Sequence, residues 1–158
     1  MPPRQSADLT PLVGSWRLVS MKATYTDTQE HYEPFGPAPD GRMVLEPGGR
    51  VIFFFTHPPR LPPADDAGRL ALFNTLMVYT GLVRSDAPGQ FTTTIDLAWN
   101  PIWTGEQTRF FKIEGDHLYI TSAEYSRPSQ PDRRVIAEVL LQREHRQPTP
   151  EMSYLRVE

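Results

Sequence analysis

Two side chains that could bind or activate a polar ligand are an arginine and a tyrosine. They lie in two consecutive apolar stretches in the C-terminal half of the sequence. Arg109 shares a face with Phe111, and the next run carries Tyr119. If both faces point into a closed interior, Arg109 is a buried cation that requires an acceptor, either a protein carboxylate or a ligand oxygen. The alternative is that Arg109 forms an ion pair at the rim with Asp96 or Glu106.

Two further residues are candidates for catalysis. Tyr79, like Tyr119, is either a hydrogen-bond donor to a carbonyl group or a satisfied phenol of the core. His57 precedes two prolines at the base of a long loop, and imidazole titrates near neutrality, so a general base is one interpretation. An exposed surface histidine is the other. If the protein is an enzyme, we therefore expect Arg109, Tyr79 and His57 to act in it.

Several kinds of site are not predicted. The chain has no cysteine, so thiolate nucleophiles and thiolate metal sites are excluded. The four histidines show no spacing typical of metal ligands. No Gly-x-Ser-x-Gly turn and no glycine-rich phosphate loop is present. We predict neither a metal nor a cofactor.

Composition predicts one ordinary globular domain. The chain has 158 residues, of which 39% are hydrophobic and 22% are charged, with a net charge of -3. That charge gives no electrostatic argument for binding nucleic acid. No segment resembles a signal peptide or a membrane span. The expectation is a cytoplasmic protein that binds no membrane, with a homodimer left open.

The 17 prolines fall between runs of apolar, aromatic and β-branched residues, which we interpret as strands because proline is excluded from central strands. One helix is predicted over ADDAGRLALFNTLM, with Asp65 or Asp66 as its N-cap. The predicted strands are 16–25, 31–35, 42–46, 50–56, 78–85, 90–99, 107–114, 117–125 and 134–143.

Eight or nine short strands with one helix favour an all-β fold, an antiparallel up-and-down barrel, because closure removes exposed sheet edges. We divide the chain into a flexible N-terminal arm (1–11), the barrel (12–143) and a C-terminal tail (144–158). Alternation predicts that Trp16, Leu18 and Ser20 of the first strand point into the barrel. On the last strand, Arg143 is the final residue predicted to point inward. Arg143 would then lie over the indole of Trp16.

Aromatic residues are concentrated where an interior is expected. Phe53 and Phe55 share one face of their strand, and the opposite face is expected to be covered by the helix. Trp99 and Trp103 flank a strand end, as the mouth of a cavity or as a packed corner. These residues are either only core or the lining of a ligand site. The predicted lining set is Phe53, Phe55, Trp99, Trp103, Arg109, Phe111 and Tyr119.

Five ordered motifs resemble those of the bacterial and fungal lipocalin-like domain family, within the calycins. They are LVGSWRLVS, PFGPAPDG, YTG, PIWTG and RFFKIEGDHL, and they span nearly the whole chain. The resemblance implies a barrel whose structural signature is Gly14, Trp16 and Arg143. The family often carries histidines before the PxWxG motif, where this chain has Thr92, Thr93 and Thr94, so no histidine chemistry is carried over to that strand.

The barrel leads to two principal hypotheses and one further alternative. The first is the binding of a compact, mostly apolar molecule with one carbonyl, hydroxyl or carboxylate group, possible in an eight-stranded barrel with an unfilled upper half. The second is a cofactor-free isomerase, cyclase or dehydratase acting on a polyketide-like or terpenoid substrate of secondary metabolism. The further alternative is a solidly packed barrel that serves as an interaction module.

Overall fold

A computed structural model describes residues 8–127 and 129–145 of the chain. Residues 1–7 of the predicted arm (1–11) and residues 146–158 of the predicted tail (144–158) lie outside the described residues. After a short 3-10 turn at Thr10–Leu12 come ten strands and one helix. The elements are β1 (Gly14–Tyr25), β2 (His31–Tyr32), β3 (Asp40–Leu45), β4 (Arg50–Thr56), α1 (Asp66–Asn74), β5 (Leu76–Arg84), β6 (Gln90–Ala98), β7 (Gly105–Glu114), β8 (His117–Ser122), β9 (Tyr125–Arg127) and β10 (Gln130–Arg143).

Eight of these strands form a closed antiparallel barrel in the order β1-β3-β4-β5-β6-β7-β8-β10, and β10 pairs with β1 to complete the circle. The short strands β2 and β9 extend β1 and β10 at one edge of the barrel. The predicted all-β, lipocalin-like up-and-down barrel is confirmed. Two strand boundaries differ from the prediction. The predicted strand 117–125 is divided into β8 and β9, and the last strand begins at Gln130, four residues before the predicted start.

Tight turns fix the register of the hairpins. Between β3 and β4, Gly49 adopts a φ of +96° and donates its backbone N–H to the carbonyl of Glu46. Between β7 and β8, Glu114 pairs with His117 across a two-residue turn in which Gly115 has a φ of +58°. Positive φ angles are accessible to glycine without a steric cost, so both turns can be this short.

One end of the barrel is closed by Trp16, whose side chain is 0% exposed. Its indole N–H donates to the carbonyl of Leu12 at 2.9 Å, and the guanidinium of Arg143 lies 4.0 Å from the ring centroid. Arg143 also donates to the carbonyls of Pro11 and Val13 at 2.7 and 3.0 Å. Gly14 has a φ of +128°, and a Cβ there would lie 3.2 Å from Arg143. The glycine therefore makes room for the arginine that covers the tryptophan.

The predicted alternation along β1 is wrong beyond Leu18. Leu18 pairs with Leu141, but Ser20 pairs with Leu140, so Val19 is an extra residue in a β-bulge. A bulge reverses which side chains point inward. Ser20 is consequently exposed, and Met21 lines the interior in its place.

The predicted role of the helix is also wrong. The outer face of β4 is not covered: Ile52 is 43% exposed and Phe54 is 48% exposed, and α1 contains no buried residue. Asp65 is the N-cap, and its carboxylate accepts the backbone N–H of Gly68 at 2.8 Å. The helix instead follows the end of β4 at the edge of the barrel opposite Trp16, where the carbonyl of Phe73 accepts the indole N–H of Trp99.

Candidate ligand-binding cavity

A cavity of about 850 Å³ occupies the half of the barrel opposite Trp16. Its walls come from the end of β4, the start of β5, the segment that follows β6, and parts of β1, β7, β8, β9 and β10. This volume is within the range of small-molecule sites. The interior is therefore not solidly packed, and the alternative of a filled barrel is wrong.

One wall of the cavity is a continuous run of aromatic rings. The centroid of Phe53 lies 5.0 Å from that of Tyr79, and Tyr79 stacks on Trp103 at 5.5 Å with 16° between the ring planes. Trp103 in turn contacts Trp99 at 5.9 Å. Phe55 packs edge-on against Phe53. This wall offers apolar, polarisable surface to a flat or branched ligand.

Arg109 on β7 adds a cation to the lining of the cavity. Its guanidinium donates to the side-chain oxygen of Gln107 at 3.3 Å and to the carbonyl of Thr108 at 3.0 Å. Asp96 instead pairs with Arg50, and Glu106 with Arg84, so the predicted rim pairing of Arg109 is absent among the described residues. A guanidinium carries five N–H donors, and no carboxylate among the described residues accepts from Arg109, so the group can bind an oxygen of a ligand.

The hydroxyl of Tyr79 lies beside Arg109 in the cavity. Tyr79 is buried, and burial raises the pKa of its phenol, while the nearby guanidinium of Arg109 lowers that pKa to a smaller extent. Tyr79 thus stays protonated near neutrality and can donate a hydrogen bond. Phenol and guanidinium together present donors to one region of the cavity.

Arg127 was missed by the sequence analysis. It lies on β9, lines the cavity, and donates to Tyr25 and to Gln130. Its guanidinium lies 4.6 Å from the ring centroid of Tyr32. Its Nε is buried, and no hydrogen-bond partner for that atom occurs within residues 8–127 and 129–145. Nothing in the sequence indicated that Arg127 lies in the cavity, because no separate strand was predicted at this position.

His57 lies at the rim of the cavity, against the PFGP segment. Its Nδ1 lies 2.7 Å from the carbonyl of Pro58, an atom that can only accept, so Nδ1 carries the proton. A Cβ on Gly36 would lie 2.8 Å from the imidazole ring. Within the described chain no carboxylate forms an ion pair with His57. His57 therefore lies near the site, but among the described residues it lacks the carboxylate partner that usually orients a histidine acting as a general base.

Two predicted lining residues lie elsewhere. Tyr119 points away from the interior, and the ammonium of Lys112 lies 5.0 Å from its ring centroid. Phe111 packs against Phe91 at 5.9 Å in the core and does not line the cavity. The reason is the register of the β7–β8 hairpin: Arg109 pairs with Ser122 and Phe111 with Ile120. Directly paired residues share a face, so Ile120 and Ser122 point inward instead of Tyr119.

A family model described as a lipocalin-like domain matches residues 13–143. The matched segment begins beside Gly14 and ends at Arg143, the residues that close the barrel. The chain belongs to the lipocalin-like domain family. No curated protein matches the chain. The lipocalin-like barrel fits small-molecule binding in general, and the ligand has to be argued from the cavity itself.

Two further observations bear on the site. Among the residues that the structure describes, no three histidine or acidic side chains come together in a way that could hold a metal ion. No helix in residues 8–127 or 129–145 is long and apolar enough to cross a membrane.

Proposed function

We propose that this lipocalin-like barrel binds a compact, mostly apolar molecule that carries a polar group. The observation that supports the proposal is the open cavity itself, whose lining combines an aromatic wall with the polar groups of Arg109 and Tyr79. An apolar pocket with a few convergent polar groups is the usual form of a small-molecule site.

The aromatic wall supports the apolar part of the ligand. Tyr79 and Trp103 are stacked, and Phe53 extends their surface towards the core, so a ligand body would replace water over a contiguous apolar area. Each Å² of apolar surface removed from water stabilises a complex by about 25 cal/mol before the costs of association.

The proposal is tested by filling the cavity. Val139 lines it between Met21 and Ile120, whereas Leu140, the next residue of β10, faces the other side of the sheet. We expect Val139→Phe to weaken binding of the neutral fluorescent probe N-phenyl-1-naphthylamine at least about tenfold, because the added ring occupies cavity space. The matched control, Leu140→Phe, should bind the probe as wild type does.

Native mass spectrometry of the purified protein complements the probe titration. A co-purified small molecule, released on denaturation, would give the ligand class directly. If wild-type protein carried nothing and also failed to enhance the fluorescence of the probe, the proposed function would be wrong.

A cofactor-free isomerase, cyclase or dehydratase of natural-product-like substrates is the second candidate. The observation that favours it is the pairing of a protonated Tyr79 with an Arg109 that has no described carboxylate partner, since such donors stabilise an enolate. The test returns the released molecule to fresh protein and follows its mass and retention time. Conversion that is lost in Arg109→Ala would support catalysis, and an unchanged molecule would leave binding alone.

A further inference from the structure

The charges that face the cavity are mostly positive. The charged residues among its described lining are Arg109, Arg127 and Glu33, and His57 lies at its rim. Glu33 is exposed, and no ion pair within 4.0 Å joins it to either arginine among the described residues. The cavity lining thus carries a net positive charge, whereas the chain as a whole has a net charge of -3.

The two cavity arginines differ from five of the described arginines on the outside of the barrel. The outer arginines Arg17, Arg60 and Arg134 also form no ion pair within the described residues, but they are exposed to solvent. Five outer arginines form ion pairs with carboxylates, and these are Arg42, Arg50, Arg69, Arg84 and Arg133. Arg109 and Arg127 have only neutral oxygen partners within the part of the chain that the structure describes. A partly buried cation without a counter-charge is costly, and a bound anion offsets that cost.

Both guanidiniums act on the same space. Burial raises the pKa of the Tyr125 phenol, and the charges of Arg109 and Arg127 each lower it, so Tyr125 lies within reach of both guanidiniums. Both arginines and Tyr125 line the cavity, together with Ser122, the cross-strand partner of Arg109. Several hydrogen-bonding groups therefore line the same cavity as the aromatic wall.

We propose that the ligand is an amphipathic organic anion, whose carboxylate or similar oxyanion lies between Arg109 and Arg127 and whose apolar body packs on Tyr79 and Trp103. This inference rests on the proposed function and specifies the ligand class for the same cavity. The planar donor sets of two guanidiniums match the oxygens of a carboxylate.

Two probes that differ by one charge test the inference. 8-Anilinonaphthalene-1-sulfonate and N-phenyl-1-naphthylamine share their ring system, and only the first carries an anionic group. We expect wild-type protein to bind the sulfonate at least about tenfold more tightly, and we expect this preference to weaken as salt is added. Arg109→Gln and Arg127→Gln should each reduce the preference several-fold while binding of the neutral probe persists.

Matched variants separate charge at the site from charge in general. Arg134→Gln removes a cation from the exposed face of β10 and should leave the preference unchanged. Arg109→Lys should retain part of it, because the positive charge remains but the bidentate geometry is lost. Retained binding of the neutral probe shows that each variant still folds with an open cavity.

The outcomes distinguish the two proposals. If neither probe binds, the proposed function fails. If the neutral probe binds as well as the anionic one, or if the glutamine variants keep the wild-type preference, the cavity is a binding site but the anion inference is wrong.

Discussion

The two ends of the barrel each combine arginine with aromatic rings, and they use the combination differently. At the closed end, Arg143 lies over Trp16 and its donors are taken up by the carbonyls of Pro11 and Val13. At the open end, Arg109 lies beside Tyr79 and lines the cavity, and no carboxylate among the described residues accepts its donors. The hydrogen-bond partners of an arginine, more than its proximity to an aromatic ring, therefore decide whether it closes the barrel or is available to bind a ligand.

Packing follows the same division. Trp16 is fully buried between the core and Arg143, whereas Trp103 is partly exposed and lines the cavity. Interior side chains at close-packed positions contribute to stability, and side chains along an open cavity contribute chiefly to recognition. Mutations at the two ends should therefore separate the two properties.

The largest expected effect is on Trp16. Trp16→Ala should lower the free energy of unfolding by about 3–5 kcal/mol, because it removes a buried indole and leaves a cavity beneath Arg143. Trp103→Ala should cost no more than about 2 kcal/mol and should weaken binding of the neutral probe at least about tenfold. Urea denaturation followed by circular dichroism gives the stabilities.

Equal losses of stability at both tryptophans would remove the distinction between a structural and a binding end. Phe110→Ala offers a control, because this exposed ring on β7 should affect neither property.

A smaller effect is expected at the arginines. Arg143→Met should destabilise the protein by about 2–3 kcal/mol, since it loses the contact with the indole and two charge-assisted hydrogen bonds to backbone carbonyls. Arg109→Met should change stability by less than about 1 kcal/mol, because it also removes the cost of holding a partly buried cation. Thermal unfolding of the two variants side by side measures the difference, and a larger loss in Arg109→Met would reverse the assignment of the ends.

The smallest effect concerns pH. Burial raises the pKa of Tyr32, beside Arg127 at the open end, to about 12 from its ordinary value of 10.0. The unfolded chain releases this proton near pH 10 and the folded chain near pH 12. The contribution to stability is therefore intact below pH 10 and is lost as the pH rises towards 12.

Tyr32→Phe should show a shallower fall in the urea midpoint between about pH 9.5 and 11.5 than wild type. Tyr79 and Tyr125 change in the same direction, so the fall should be reduced and not abolished. Absorbance of phenolate near 295 nm gives an independent titration. Identical pH profiles for the two proteins would show that Tyr32 titrates as an ordinary phenol.

Much of the fold could be predicted because proline and glycine mark the ends of the strands. Arg50–Thr56 was predicted to the residue, since PGG precedes it and two prolines follow His57. The stacking of Arg143 on Trp16 followed from alternation and closure alone. Local signals of this kind survive folding because turns and breaks depend on the backbone of only a few residues.

The site was harder to predict because it depends on register. Placing Arg109 and Tyr119 on one side conflicts with the two-residue turn at Gly115, which pairs Arg109 with Ser122. Counting across that turn would have corrected the error from sequence. Arg127 had no comparable signal, because β9 is a short strand defined only by its pairing with β10.

Because of the bulge at Val19, even-numbered residues point inward in the first half of β1 and odd-numbered residues point inward in the second half. Below it, Trp16 and Leu18 point inward, and above it Met21 and Ala23 do so. If the same residues, Val19 included, paired in a regular ladder without the bulge, Ser20 would turn towards the upper interior and Met21 would move to solvent. A single backbone insertion thus acts as a switch of polarity for the chamber above the core, with no change in the composition of the strand.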